Sequence, residues 1–131
     1  MSMEKQIAEL ILPEGMLDHF DIEKIEQGTE GQNEKYIHIH LSEKNQLPEG
    51  YDPDQYESKG FTEPKKLIDF PIRNKNVYLS IKRRRWRHKQ DPNRIIYNDY
   101  SHLVGSRKIT SEFSAFFKRY SSKHGPNPLK R

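Results

Sequence analysis

The stretch "LIDFPIRNKNVYLSIKRRRW", Leu67 to Trp86, alternates apolar and polar residues on both sides of a polar "RNKN" tetrad. That pattern predicts a β-hairpin. With the turn centred on Asn74-Lys75, Ile72 faces Val77, Phe70 faces Leu79 and Ile68 faces Ile81, so six apolar side chains line one face. Pro71 has no N–H, and a two-residue loop would put it in a hydrogen-bonded pair. The expected loop is therefore the four residues Arg73 to Asn76, in the same register. The 67–72 strand is expected to be an edge near Pro71.

Past Ile81 the alternation continues into cations. Lys82, Arg84 and Trp86 fall on the face of Tyr78, and Arg83, Arg85 and Arg87 on the face of Val77, Leu79 and Ile81. A core does not bury arginines in series, so the strand is expected to project beyond it as a basic ribbon, wet on both faces. Positions 82 to 89 hold six Lys/Arg in eight, Lys89 the last. One or two lysines are enough to protect a sheet edge, so this density points to a polyanion. Trp86 has two readings: packing at the end of a small core, the commoner role of such a ring, or stacking on a base.

Charge is segregated along the chain. Residues 1–60 carry 14 Asp/Glu and 5 Lys/Arg, whereas residues 61–131 carry 5 and 18, within an overall +4. The basic half is the natural partner of nucleic acid; the acidic half suits spacing, solubility or contact with a basic surface. With 131 residues, 32% apolar and 32% charged, the chain is one small domain with tails and a modest core. The absence of cysteine excludes disulfides, thiol nucleophiles and cysteine-bearing zinc sites. The longest apolar run is Leu10 to Leu12, far short of the roughly 20 residues of a membrane span. A soluble, untargeted, cytoplasmic protein is expected.

Upstream, Ile7, Leu10 and Ile11 form a helical stripe ended by Pro13. "FDIEKIEQ" (Phe20 to Gln27) and "EKYIHIHL" (Glu34 to Leu41) predict two strands joined by a loose hairpin at "GTEGQN". In the second, Ile37, Ile39 and Leu41 share one face, and Tyr36, His38 and His40 the other. Residues 42–60, polar with Pro48 and Pro53, read as a long loop. "RIIYNDY" from Arg94 predicts a returning strand. Thr110 then caps a helix whose Phe113, Phe116, Phe117 and Tyr120 form an aromatic lid for the sheet.

The chain carries no nucleophile elbow, phosphate-cradling glycine loop or telling carboxylate pair, so no catalytic residue is expected. His38 and His40 have a spacing that suits a metal, but no nearby pattern supplies further ligands, and exposed strand histidines are the default. Neither a metal nor a cofactor is expected.

The segment "IDFPIRNKNVYLSIKRRRWR", with "LPEGMLDHFDI" before it and "LVGSRKITSEFSAFFKRY" after it, resembles the N-terminal region of bacterial insertion-sequence transposases of the ISAon-one type, distantly ISL-three-like. The likeness spans residues 10–120, and its specific part is the "DFPI" hairpin leading into a basic, aromatic strand. In the ISL-three relatives a comparable hairpin belongs to a cysteine-rich zinc ribbon, so a zinc-free version is implied here. The family's catalytic DDE domain has no counterpart in this chain. The resemblance implies a DNA-binding region that recognises insertion-element ends without catalysing strand transfer, with a separately encoded catalytic polypeptide as partner. It places the DNA contacts at Lys82, Arg83, Arg84, Arg85, Trp86 and Arg87, with Arg73 and Lys75 at the hairpin tip.

The expected architecture is α+β. A small antiparallel sheet (hairpins 20–41 and 67–87, strand 94–99) is covered by the C-terminal amphipathic helix. The N-terminal helix spans 1–12, the single DNA-binding domain 13–120, and a basic flexible tail 121–131. The alternatives are a small RNA-binding module, with Trp86 stacked on a single strand, and a protein-interaction regulator of a transposase.

Overall fold

The structure is a computed structural model and describes residues 3–100 and 115–117. Helix α1 (Met3–Ile11) and a 3₁₀ turn (Met16–Asp18) precede seven strands: β1 (Phe20–Glu30), β2 (Glu34–Glu43), β3 (Tyr56–Phe61), β4 (Lys65–Ile72), β5 (Lys75–Lys82), β6 (Arg84–His88) and β7 (Ile95–Ile96). The class is α+β, dominated by strands. These form two sheets rather than the single one expected, ordered β1-β2-β5-β4 and β3-β6-β7.

The larger sheet is mixed. β1 and β2 form the expected hairpin, but both strands run on to a three-residue turn, Gly31 to Asn33, where Gly31 (φ 54°) and Asn33 (φ 68°) take the left-handed conformation that glycine and asparagine tolerate. β5 then lies parallel to β2, placing Ile37 beside Val77, Ile39 beside Leu79 and Leu41 beside Ile81. These six buried side chains make the centre of the main core, as the alternation predicts. A parallel pair needs a crossover connection, and here residues 44–74, including β3 and β4, supply it.

The β4–β5 register departs from expectation. Leu67 pairs with Leu79, Ile68 with Tyr78 and Asp69 with Val77, a shift of three residues. Because side chains alternate, an odd shift reverses the faces. Leu67 is therefore buried, while Ile68 (56%) and Phe70 (47%) are exposed. Two local features set this register. Arg73 (φ 50°) and Asn74 (φ 65°) make a two-residue turn with both central residues left-handed, closed by the pair Ile72 and Lys75. The ladder then breaks between Asp69 and Ile72, which leaves Pro71 without a donor to supply. The four-residue loop is thus corrected, whereas β4 is the edge strand that Pro71 predicts.

Above the inner face sit Ala8, Leu12, Met16 and Phe20 from the N-terminal segment, with Tyr100, Phe116 and Phe117. The helix stripe is partly rotated from the expected one: Leu10 is exposed, while Ile11 packs against the core beside Ala8 and Leu12, the Leu12 amide donating to the Ala8 carbonyl at 2.8 Å. The side chain of Ile7 lies outside the described residues. So does most of the expected 110–120 helix and all of the 121–131 tail. Residues 115–117 are helical, and the rings of Phe116 and Phe117 are buried in the main core.

The second sheet was not anticipated. Part of the presumed 42–60 loop is β3, which pairs with β6 with Tyr56 opposite His88, Glu57 opposite Arg87 and Ser58 opposite Trp86. The ladder slips between Ser58 and Phe61, and Gly60 there (φ 79°) provides the left-handed residue of a bulge. The returning strand shrinks to Ile95–Ile96. Tyr56, Trp86 and Ile96, with Leu47 against them, form a separate small core.

Candidate nucleic-acid interface

The run from Lys82 to Lys89 is not one projecting ribbon. It leaves the first sheet at Lys82 and enters the second at Arg84, and Arg83 is the link between them. The Arg83 amide donates to Thr62 Oγ1 at 3.0 Å, and its carbonyl accepts from the Thr62 amide at 2.7 Å. Its side chain turns inward and is fully buried. Arg83 Nε donates to Glu43 Oε1 at 3.0 Å, and Nη2 donates to the Asn98 carbonyl. The guanidinium lies over the rings of Tyr100 (5.0 Å) and Phe117 (5.8 Å).

Glu43 is equally buried and is surrounded by donors. Oε1 also accepts from the Arg84 amide at 2.9 Å, and Oε2 accepts from Asn98 Nδ2 at 2.9 Å and from the Tyr100 hydroxyl at 2.8 Å. Burial, together with the adjacent Glu43, pushes the Tyr100 hydroxyl far up, so it remains a donor. A buried ion pair is tolerable only when further hydrogen bonds meet its remaining capacity, and here the Asn98 carbonyl takes Arg83 Nη2 while the Arg84 amide, Asn98 Nδ2 and the Tyr100 hydroxyl supply Glu43. Arg83 therefore joins two sheets and is withdrawn from the surface, which removes it from the expected DNA contacts.

Trp86 is also withdrawn, 6% exposed in the small core, so of its two readings packing holds and it has no face for a base. Arg84 is half-buried, donating through Nη1 to Ser58 Oγ at 2.8 Å with its guanidinium 4.6 Å from the Phe61 ring. Lys82 pairs with Glu23 at 3.0 Å. Sequence alternation alone could not show that acids and hydroxyls from remote segments would meet these cations.

What remains outward is narrower. Arg85 and Arg87 stand on the face of β6 opposite Trp86, about 6.6 Å apart along the strand, and exposed Lys89 follows two residues on. Arg85 is exposed, its Nη2 donating to the carbonyl of Lys59, itself exposed on β3. Arg87 is half-buried, and its Nη2 lies 3.5 Å from Glu57 Oε2. Lys59 sits in what the sequence presents as a loop, and only the pairing of β3 with β6 brings it here. Arg73 and Lys75 do not join this group: they lie at the β4–β5 turn, the other end of β5, whose length separates them from β6 by roughly 25 Å.

The chain matches no protein-family model, no curated protein and no solved structure.

Proposed function

We propose that the chain is a non-catalytic DNA-binding module, the N-terminal region of an insertion-sequence transposase that recognises element ends alongside a separately encoded catalytic polypeptide in the cytoplasm. The observation that carries the binding reading is the outer surface of the small sheet, where Arg85 and Arg87 succeed one another along β6, exposed Lys89 follows just past its end and Lys59 lies beside them on β3. Cations at strand spacing on a rigid sheet suit contact with a phosphate backbone, which contributes affinity and register more than sequence reading. The charge asymmetry between the two halves of the chain supports the same partner. The transposase assignment rests on the resemblance of the 67–87 hairpin region. In this reading residues 110–120 close the main core as an amphipathic helix, supported by the burial of Phe116 and Phe117. Burial of Trp86 removes the stacking platform on which the single-stranded RNA reading relied.

The test is duplex DNA binding across salt concentrations, comparing the unaltered protein with the Arg85→Ala/Lys89→Ala double variant. Two lost phosphate contacts are expected to flatten the log–log salt slope by about 1.8, at about 0.9 per contact, with the fold unchanged. Affinity and slope identical in both proteins, or no duplex binding at low salt, would overturn the proposal.

A further inference from the structure

Away from the basic strand, the outer face of the larger sheet brings Glu26 against the pair His38 and His40, which the sequence leaves on a separate strand. His38 and His40 lie two residues apart on β2 and share its outer face, their rings stacked with centroids 4.0 Å apart. Glu26 comes from β1, where it is the register partner of His38. His40 Nε2 is 2.8 Å from Glu26 Oε1, and His38 Nδ1 is 3.9 Å from the same oxygen. One ligand atom from each residue falls within a group no more than 4.8 Å across.

We infer that Glu26, His38 and His40 form a binding site for a divalent ion of the zinc class. Two imidazoles and one carboxylate are a donor set that zinc accepts, with a further position open to water or another ligand. At metal–ligand distances of about 2.0–2.1 Å, tetrahedral donors stand ~3.3 Å from one another, a value bracketed by the 2.8 and 3.9 Å separations here. Completing the geometry requires side-chain rotation that draws the donors, at most 4.8 Å apart, to this spacing.

The surroundings are those of a held ligand set. His38 Nε2 is 2.7 Å from Ser80 Oγ on β5, a contact that fixes the ring and turns Nδ1 toward Glu26. Metal-bound histidines characteristically engage their second nitrogen in this way, and loss of such a support typically costs 10–100-fold in affinity. Both histidines are mostly shielded (15% and 21% side-chain exposure), whereas Glu26 is open at 46%, so an ion has a route in from solvent. Lys24 lies 3.5 Å from Glu26 Oε2, the other carboxylate oxygen, leaving Oε1 to the histidines. Lys66 is turned over the Tyr78 ring, 4.4 Å from its centroid.

The experiment is titration of tag-free protein with Zn²⁺ by calorimetry and with Co²⁺ by visible absorption, whose d–d bands report the coordination sphere. Saturation at one equivalent is expected. His40→Ala and Glu26→Gln should each lower affinity at least about tenfold, Ser80→Ala should do so through His38, and His88→Ala should leave it unchanged. Glu26 is half-exposed on the edge strand β1, so Glu26→Gln keeps the test decisive if His40→Ala does not fold. Failure of either ion to saturate the protein, or uptake undiminished in Glu26→Gln, would overturn the site.

Discussion

Arg83 Nε lies 3.0 Å from Glu43 Oε1 with both side chains wholly excluded from solvent, and this pair sits where the chain passes from one sheet to the other. Removing one member of a buried pair leaves the other charge desolvated, a loss of about 3–5 kcal/mol. Domains of this kind have only about 5–15 kcal/mol in total. Arg83→Ala is therefore expected to lower the urea midpoint severely or prevent folding, whereas Arg85→Ala should stay within about 0.5 kcal/mol of the unaltered protein. The sequence by itself suggests instead that Arg83, Arg84 and Arg85 could be removed together without harm to the fold. Equal midpoints for the two single variants would contradict the buried pair.

The β4–β5 register makes a second prediction that separates neighbouring residues. Leu67 is fully buried and Ile68 is 56% exposed. Leu67→Ala should cost about 2–5 kcal/mol through lost contacts and a residual cavity, and Ile68→Ala less than about 1 kcal/mol. Denaturant unfolding of the two variants measures the difference, and the sequence-expected register requires the reverse order.

The turn that sets this register depends on Asn74 at φ 65°. A β-branched residue is poorly accommodated there, so Asn74→Val should destabilise by about 1–2 kcal/mol. Asn74→Gly should fold normally. A thermal unfolding midpoint unchanged by valine would show that the turn is built differently.

Asp69 is buried on the inner side of the edge strand, and desolvation raises its pKa above the ordinary 3.8, although the Phe70 amide donating to Oδ1 at 2.8 Å opposes this. A carboxyl with a raised folded-state pKa binds its proton more tightly in the native protein than in the unfolded chain. Its contribution to stability therefore falls as pH rises from about 3.8 through the raised value. Asp69→Asn keeps an oxygen for the Phe70 amide and removes the penalty. It should raise stability at neutral pH and flatten that part of the pH–stability curve, as measured by urea midpoints between pH 3 and 7.

Much of the fold was legible locally. Alternation in "YIHIHL" and "VYLSI" identified the six central core positions, because a two-residue period needs only one buried face to be read. Pro71 marked the edge strand because it cannot donate to a ladder. The register beside it was not legible, since the hydrophobic pattern favours burying Ile68 and Phe70, whereas the left-handed pair at Arg73-Asn74 and the ladder break between Asp69 and Ile72 select the register that exposes them. The second sheet was hidden for a related reason: "YESKGF" carries too few apolar residues to announce a strand, and gains its identity from β6.

Charge followed the same division. The sequence alone determined that the cations are concentrated in the second half and densest from 82 to 89, because composition is independent of conformation. Which of them face solvent was decided by tertiary structure. Glu43 is forty residues from Arg83, and only the passage between two sheets brings them together in a site dry enough for the pair to be structural. Glu26 likewise meets His38 and His40 through β1–β2 pairing, a convergence of donors that their separation along the chain does not reveal. Local pattern specifies which side chains can leave water together; long-range contacts decide which charges must leave with them.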